Sequence, residues 1–386
     1  MPRDFSIVLF GATGYTGRLV CEYLKNITTG AVCQWAVAGR DENKLIQLVN
    51  DLSLDVPVLV ADTNDPLSLD RMCSRATLLL SCVGPFSLFG MPVVEACVRH
   101  GTHYVDSTGE FSFVRNVIDK LHAKAIQRGV VIVPCCAFDC VPSDIGNYLV
   151  HHLSDVQLRH VEGYFSLRSC GVSGGTARSA LALAENLIPA DYDHFSLVPQ
   201  EGLRPVTTVT RRGIWYDFSE GRFSGPFVMA STNERVVRRT NALLGYNSSY
   251  TEAVEGTFLG VVLSTLSFYL LLALLSAPPI RRYLANWLIP LPGTGPTAGK
   301  RAASSYRCTF FGAVEDGTRR RRVSLADKRD MYSASAMYLA EGALSVLEMG
   351  GRGELGAGVL TPMAAFGDVL VRRVKQAGVT IEVEDV

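Results

Sequence analysis

Seven residues near the start of the chain limit its fold more than any other feature. Gly11-Ala12-Thr13-Gly14-Tyr15-Thr16-Gly17 directly follows an apolar run at residues 6–10 and opens a stretch of helical periodicity. Glycines let the backbone turn tightly and approach a pyrophosphate, while the unsatisfied amides and partial positive charge of a helix N-terminus stabilise the phosphates. The spacing is G-x-x-G-x-x-G rather than G-x-G-x-x-G, so the strand before and the helix after carry the argument. Together they make residues 11–17 a dinucleotide phosphate loop.

Between residues 5 and 133, short β-branched runs alternate with helical stretches, the pattern of repeated βαβ units. Strands are predicted at 6–10, 35–38, 58–60, 78–80, 103–105 and 130–133. Helices are predicted at 15–24, 43–51, 67–72, 92–100 and 114–128, with Pro92 in a first turn where its missing N–H costs nothing. Right-handed crossovers then give an α/β fold, a Rossmann-type doubly wound parallel sheet. At 386 residues the chain exceeds what one core usually serves. After residue 145 the pattern changes to strands at 161–167, 205–210, 306–314 and 319–325, the last pair flanking a tight turn at Asp316-Gly317. This describes a second, α+β domain containing an antiparallel sheet. The expected division is a dinucleotide-binding domain at 1–145, a substrate or dimerisation domain at 146–360, and a segment at 361–386 that packs back on the first. In that segment Thr361-Pro362 opens a helix, Gly378 stops it, and 379–383 is a last strand.

The second strand ends in Ala38-Gly39-Arg40. A carboxylate there would accept from the ribose 2′-hydroxyl of NAD; its absence, and a guanidinium to pair with a 2′-phosphate, favour NADP, with NAD still open. Arg40 stacking on adenine or capping a loop is the alternative. Asp62 either bonds near the adenine or caps the helix after Thr63. Val83, Gly84 and Pro85 put a stiff backbone at the ligand-binding edge, against ribose or nicotinamide. Asp106, Glu110, Asp139 and Asp144 reach the same edge and are candidates for proton transfer, against an equal reading as helix caps for Asp106 or the neighbouring Ser143. Ser173, Gly174, Gly175 and Thr176 precede an apolar-periodic stretch, so a helix N-terminus there would face a substrate carboxylate or thioester oxygen, or simply be capped. Arg178 is the nearest cation to it.

In the order Gly11 to Gly17, Ala38-Gly39-Arg40, Val83-Gly84-Pro85-Phe86, Tyr104-Val105-Asp106 with Gly109-Glu110, Phe138-Asp139, Pro142-Ser143-Asp144, Gly171 to Thr176, Pro226 to Ala230, Val236 to Arg239, Pro292 to Pro296 and Gly358 to Pro362, the chain resembles the saccharopine-dehydrogenase-like oxidoreductases. That family includes the trans-acting enoyl reductases of bacterial glycolipid synthesis. The resemblance implies a nicotinamide-dependent oxidoreductase, acting on an enoyl or acyl lipid or on an amino-acid imine. The imine substrate of a saccharopine dehydrogenase would require convergent arginines, with Arg168, Arg178, Arg238 and Arg239 as the candidates. None of the 14 tyrosines has a lysine four positions later, so the Tyr-x-x-x-Lys pair of short-chain dehydrogenases is absent. A third reading is a non-catalytic dinucleotide-binding scaffold at a lipid surface.

Residues 256–280 contain no charge and reach the length that spans a bilayer, though several hydroxyls dilute them. A re-entrant or surface-lying helix at a membrane or lipid droplet is expected, anchored by Arg281, Arg282, Tyr283, Leu284, Trp287, Leu288 and Ile289. A buried core helix or a homodimer contact is the alternative. Lys+Arg and Asp+Glu are equal at 37 each, so no overall field draws nucleic acid. Residues 319–322 are all arginine and are expected to guard a solvated sheet edge. The 10 cysteines form no C-x-x-C pair, and Cys135, Cys136 and Cys140 lack partners at zinc spacing, which argues for reduced thiols, no metal, and a cytoplasmic location without a secretory signal.

Overall fold

Each strand at the centre of the first sheet is a short apolar run buried on both sides, as a parallel sheet with helices on both faces demands. In the computed structural model, which describes residues 3–27, 33–168, 171–199, 212–287, 291 and 293–386, the sheet comprises β1 (Phe5–Phe10), β2 (Trp35–Gly39), β3 (Val58–Val60), β4 (Ala76–Ser81), β5 (His103–Asp106) and β6 (Val131–Val133). Their spatial order is 3-2-1-4-5-6, all parallel, so the chain reverses its direction of winding between β1 and β4. Loops on either side of that reversal leave a crevice at the carboxyl edge. Side chains alternate: Ile7 and Leu9 enter one core, Val8 and Phe10 the other. The helices are α1 (Tyr15–Ile27), α2 (Glu42–Asp51), α3 (Pro66–Ser74), α4 (Phe86–His100), α5 (Phe111–Gln127) and α6 (Val141–His152). Pro92, expected to open a helix, is the seventh residue of α4 instead. Helix α4 starts early because the Glu110 carboxylate takes up the amides of Phe86 and Ser87.

The second sheet uses β7 (His160–Arg168), β8 (Trp215–Asp217), β9 (Arg222–Gly225), β10 (Ser249–Gly256), β11 (Ser305–Ala313) and β12 (Arg319–Asp327). Apart from the parallel pair β7 and β10 its pairings are antiparallel. β11 and β12 form the expected hairpin, with Gly317 at φ 84° and the Asp316 carboxylate accepting from Thr318 N at 2.8 Å. Helix α6 lies between the sheets and touches the second one through Gly146, where a Cβ would stand 2.1 Å from the Phe310 ring. The other helices are α7 (Gly174–Asn186), α8 (Ala230–Leu244), α9 (Phe258–Ser276), α10 (Pro278–Trp287), α11 (Ala298–Ala302), α12 (Met331–Arg352) and α13 (Pro362–Gln376).

After residue 330 the chain serves both sheets. α12 covers α1, β13 (Gly358–Val359) adds a seventh parallel strand beside β6, and α13 packs on α6 and α12. The last strand, β14 (Thr380–Asp385), joins the second sheet beside β12 rather than the first. This corrects the reading of residues 319–322 as a guarded edge. β12 is an inner strand: Arg321 pairs with Asp385 at 2.7 Å and Arg322 with Glu384 at 3.7 Å, while Arg319 meets Asp217 at 2.6 Å and Glu162 at 3.0 Å. Antiparallel pairing sets the acidic tail opposite the basic strand. The strand expected at 205–210, and Leu288, Ile289 and Pro292, lie outside the described residues.

Candidate functional site

The glycines of the first turn have separate steric reasons. Gly11 has φ 87°, and a Cβ there would lie 2.9 Å from Val83 Cγ2. A Cβ on Gly17 would stand 2.2 Å from the Gly11 carbonyl oxygen, so β1 and α1 meet backbone to backbone. Gly14 N donates to that carbonyl at 3.0 Å. Ala12, Thr13, Tyr15 and Thr16 complete a cradle that side chains would fill, at the positive end of a 13-residue helix. This cradle fits the pyrophosphate of a dinucleotide. Arg40, beyond Gly39 at the end of β2, is exposed and has no partner among the described residues. We expect Arg40→Ala to weaken NADPH binding about tenfold while leaving NADH binding unchanged. Titration of nicotinamide fluorescence checks this; equal effects on both cofactors would remove Arg40 from the 2′-phosphate site. Asp62 is not the cap of the next helix. Its carboxylate accepts from Asn64 N at 2.8 Å, and Asp65 caps α3 by accepting from Leu67 N at 3.1 Å.

Four carboxylates from the two connections β5–α5 and β6–α6 approach the same edge, and three of them are occupied. Glu110 binds Phe86 N at 2.8 Å and Ser87 N at 2.9 Å, holding the cis Gly84–Pro85 turn that follows Val83. Asp106 accepts from Thr108 N at 2.9 Å, Tyr104 Oη at 2.9 Å and Cys135 N at 3.1 Å, clasping β5 to β6. Asp144 accepts from Thr240 Oγ1 and, at 2.8 Å, from Met363 N, pinning α8 and α13 to α6. Burial pushes the Asp106 and Asp144 carboxyls up to about 7, yet each is committed to the fold. All three carboxylates thus brace the fold through hydrogen bonds to other elements.

Asp139 differs. It is half-buried beyond β6, beside Gly109, and its carboxylate has no hydrogen-bond partner among the described residues. Burial alone pushes it up to about 6. A carboxyl in that range exchanges a proton near neutrality. The start of α8 closes over the same place, Thr232 Oγ1 donating to Gly109 O at 3.0 Å.

Helix α7 approaches from the opposite side. Ser173 caps it, accepting from Thr176 N at 3.2 Å, while Gly174 N donates to Thr294 O at 3.1 Å. Ser179, in its second turn, lies against Gly84, so α7 spans from the phosphate loop to the β4 edge. Gly175 is exposed at the start of this helix, and Arg178 is half-buried with a buried Nε that has no hydrogen-bond partner. Of the other arginines considered for a dicarboxylate, Arg238 is spent on Glu234 at 2.9 Å, and Arg239 donates to the carbonyls of Leu197 and Val359. Arg168 is exposed at the end of β7. A convergent arginine cluster is thus not what α8 provides. Tyr332, Pro296 and Arg301, which cover the phosphate loop, were not recognised from the sequence as site residues, although Pro296 lay in one of the family motifs.

Beyond α7 lies α9, whose mean hydropathy is 2.3 and of which 11% is buried. Only Val261 and Thr265 of its residues are buried, which corrects the reading of a buried core helix. Among the described residues it is the one helix long and apolar enough to cross a membrane. Aromatic contacts continue its surface: Phe258 meets Phe223 at 5.0 Å, Phe223 meets Tyr216 at 4.8 Å, and Tyr216 meets Phe218 at 5.0 Å. Phe218 is 89% exposed. Arg281 Nη1 in α10 donates to Ala184 O of α7 at 3.2 Å, which ties this surface to the helix over the site.

Residues 7–133 match the model of the saccharopine dehydrogenase NADP binding domain. Trans-acting enoyl reductases of Mycobacterium bovis and Mycobacterium ulcerans are 33% and 34% identical over 430 and 427 residues, covering 98% of this chain and 97% of each relative. The fold is similar to that of apo saccharopine dehydrogenase (L-Glu forming) from Saccharomyces cerevisiae, with TM-score 0.57 and 13% identity over 99% of this chain and 100% of that one. Homospermidine synthase from Legionella pneumophila aligns with TM-score 0.56 and 9% identity, over 99% of this chain and 92% of that one. The chain belongs to the saccharopine-dehydrogenase-like family that includes the trans-acting enoyl reductases, and is an NAD(P)-dependent oxidoreductase.

Proposed function

We propose that the protein uses NADPH to reduce an enoyl or acyl lipid held between the carboxyl edge of the first sheet and α7. The observation that carries this reading is the junction of α7 with α9: Arg281 of α10 donates to Ala184 O of α7 and to Leu275 O of α9, tying the helix above the nucleotide loop to a 19-residue apolar helix that the fold leaves uncovered. NADPH, when bound, supplies the hydride. The protein's own work is positional. Residues 11–17 hold the dinucleotide, the Gly84–Pro85 turn sets the backbone beside the nicotinamide end, and the N-terminus of α7 with Arg178 faces the acyl oxygen. Asp139 donates the proton that completes the reduction, since it is the carboxyl at this edge not engaged by the fold. The related trans-acting enoyl reductases support a lipid substrate by analogy. An imine carrying several carboxylates is less well served, because Arg238 and Arg239 are already paired.

The test is NADPH oxidation with α,β-unsaturated acyl thioesters presented in detergent or vesicles. Substrate-dependent oxidation is expected. Tight NADPH binding without turnover on acyl or amino-acid substrates would favour the scaffold reading instead.

We also propose that α9 lies in a lipid surface. All of its length is free of charge and its leucines are exposed on several sides, whereas a helix made for a protein groove keeps a single apolar stripe. The aromatic hairpin at Tyr216–Phe223 would sit at the headgroup level. Replacing Leu259, Leu263, Leu266 and Leu270 together by Gln is expected to abolish sedimentation with phosphatidylcholine vesicles while NADPH affinity is retained. A wild-type protein that ignores vesicles and elutes as a dimer, which the same variant dissociates, would make α9 a contact between copies.

A further inference from the structure

Segments far apart in sequence meet above the phosphate loop, and the glycine motif requires none of them. Tyr15 is the meeting point. Its hydroxyl donates to Pro296 O at 2.6 Å and accepts from Arg301 Nη1 at 3.2 Å. Its ring lies against Gly295, where a Cβ would stand 2.6 Å away, and receives Tyr332 edge-on at 5.1 Å between centroids. Gly293 approaches Thr13 O. The same strap holds the substrate-side helix: Thr294 O takes the Gly174 amide, and Tyr332 Oη takes the Ser173 amide at 2.6 Å.

Arg301 is under-used for a cation in such a place. Its side chain is 20% exposed, and its Nε is buried without a hydrogen bond. Its Nε faces Asp330 Oδ2 at 3.6 Å, an oxygen that accepts from Ser333 Oγ, while Asp330 Oδ1 caps α12 by accepting from Tyr332 N at 2.9 Å and Ser333 N at 3.1 Å. With Nε on Asp330 and Nη1 on Tyr15, Nη2 is the nitrogen without a partner among the described residues, and it keeps its donors for an anion at the mouth of the loop.

We propose that residues 293–301 form the second wall of the dinucleotide site, with Arg301 the counter-charge to the pyrophosphate. This rests on residues 11–17 being the phosphate loop. The pyrophosphate is common to NADPH and NADH, so Arg301 acts on both alike, unlike Arg40. Because the strap also holds the start of α7, the wall that closes on the cofactor is the one that positions the substrate helix.

The test uses the full chain. Wild type, Arg301→Ala and Arg301→Lys are titrated with NADPH and NADH by nicotinamide fluorescence, and amide exchange is followed with and without saturating NADPH. We expect Arg301→Ala to raise both dissociation constants roughly ten- to a hundredfold and by the same factor, Arg301→Lys to recover part of that, and NADPH to slow exchange across 293–301. Wild-type affinity for both cofactors in a folded Arg301→Ala protein would overturn the proposal. So would NADPH that protects 11–17 and leaves 293–301 unchanged, an outcome that keeps the phosphate loop and removes only the second wall. Should Arg301→Ala not fold, the exchange measurement on wild type decides alone. A wild type that binds neither nucleotide would overturn both readings.

Discussion

Asp139→Asn lowers the rate of substrate-dependent NADPH oxidation by roughly 10²- to 10⁴-fold, the usual contribution of a positioned general acid. NADPH affinity should be unchanged, because Asp139 lies beyond β6 and not on the phosphate loop. The wild-type rate should fall as pH rises through about 6, as the proton that Asp139 donates is lost, and this limb should vanish in the variant. Steady-state kinetics from pH 5 to 8 are the measurement. Retention of the wild-type rate and of its pH dependence in Asp139→Asn would place the proton donor elsewhere.

The same substitution should act in the opposite direction on stability. Burial raises the folded-state carboxyl to about 6, above its unfolded value near 3.9, so the folded protein holds a proton that the unfolded chain releases. That contribution is fully present below about pH 4 and is lost as pH rises to about 6. Above pH 6 the native state carries a desolvated carboxylate with no protein hydrogen bond among the described residues. An amide escapes most of this cost. Asp139→Asn should therefore be more stable than wild type at pH 8, by about 1–2 kcal/mol once partial exposure is allowed for, and not at pH 4. Denaturant midpoints at the two pH values would show it. A residue that is costly to the fold and necessary to the reaction is what a functional site predicts; a purely structural carboxylate would lose stability instead.

Gly17→Ala should abolish measurable binding of both cofactors. The new methyl would stand 2.2 Å from Gly11 O and 2.9 Å from Ala12 Cα, both backbone atoms that no rotamer change can clear, so the β1–α1 turn must open. Gly14→Ala is the control, since its nearest contact is the same oxygen at 3.2 Å, which a small shift relieves. We expect a loss exceeding about a hundredfold for Gly17→Ala, from displacing the amides that face the phosphates, and a much smaller one for Gly14→Ala. Normal affinity in Gly17→Ala would mean that the turn tolerates separation of β1 and α1, and that the dinucleotide is held elsewhere.

The parts of this protein that were legible in its sequence are those governed by neighbours. The six strands of the first sheet appear within about a residue or two of their predicted places, because short apolar, β-branched runs and the glycines between strand and helix act over fewer than ten residues. The Asp316-Gly317 turn was equally local. So was the hydropathy of α9, although not its exposure. Pro92 shows how that logic is overridden: Glu110, 24 residues away along the chain, moves the start of α4 to Phe86.

By itself the sequence determined the Rossmann sheet, the glycine turn between its first strand and helix, the antiparallel character of the second sheet and the family. Only the tertiary structure decided what the individual charged groups do. Asp106, Glu110, Asp139 and Asp144 occupy equivalent edge positions in the sequence, yet three are claimed by donors from other elements, in one case Met363 N, 219 residues away. The arginines of β12 look like a solvated edge until β14 brings carboxylates beside them, and Arg301 looks ordinary until the strap places it on Tyr15. Backbone periodicity is set by steric rules within a few turns. A carboxylate's role depends on which donors surround it and how much water remains, and the folded chain alone supplies both.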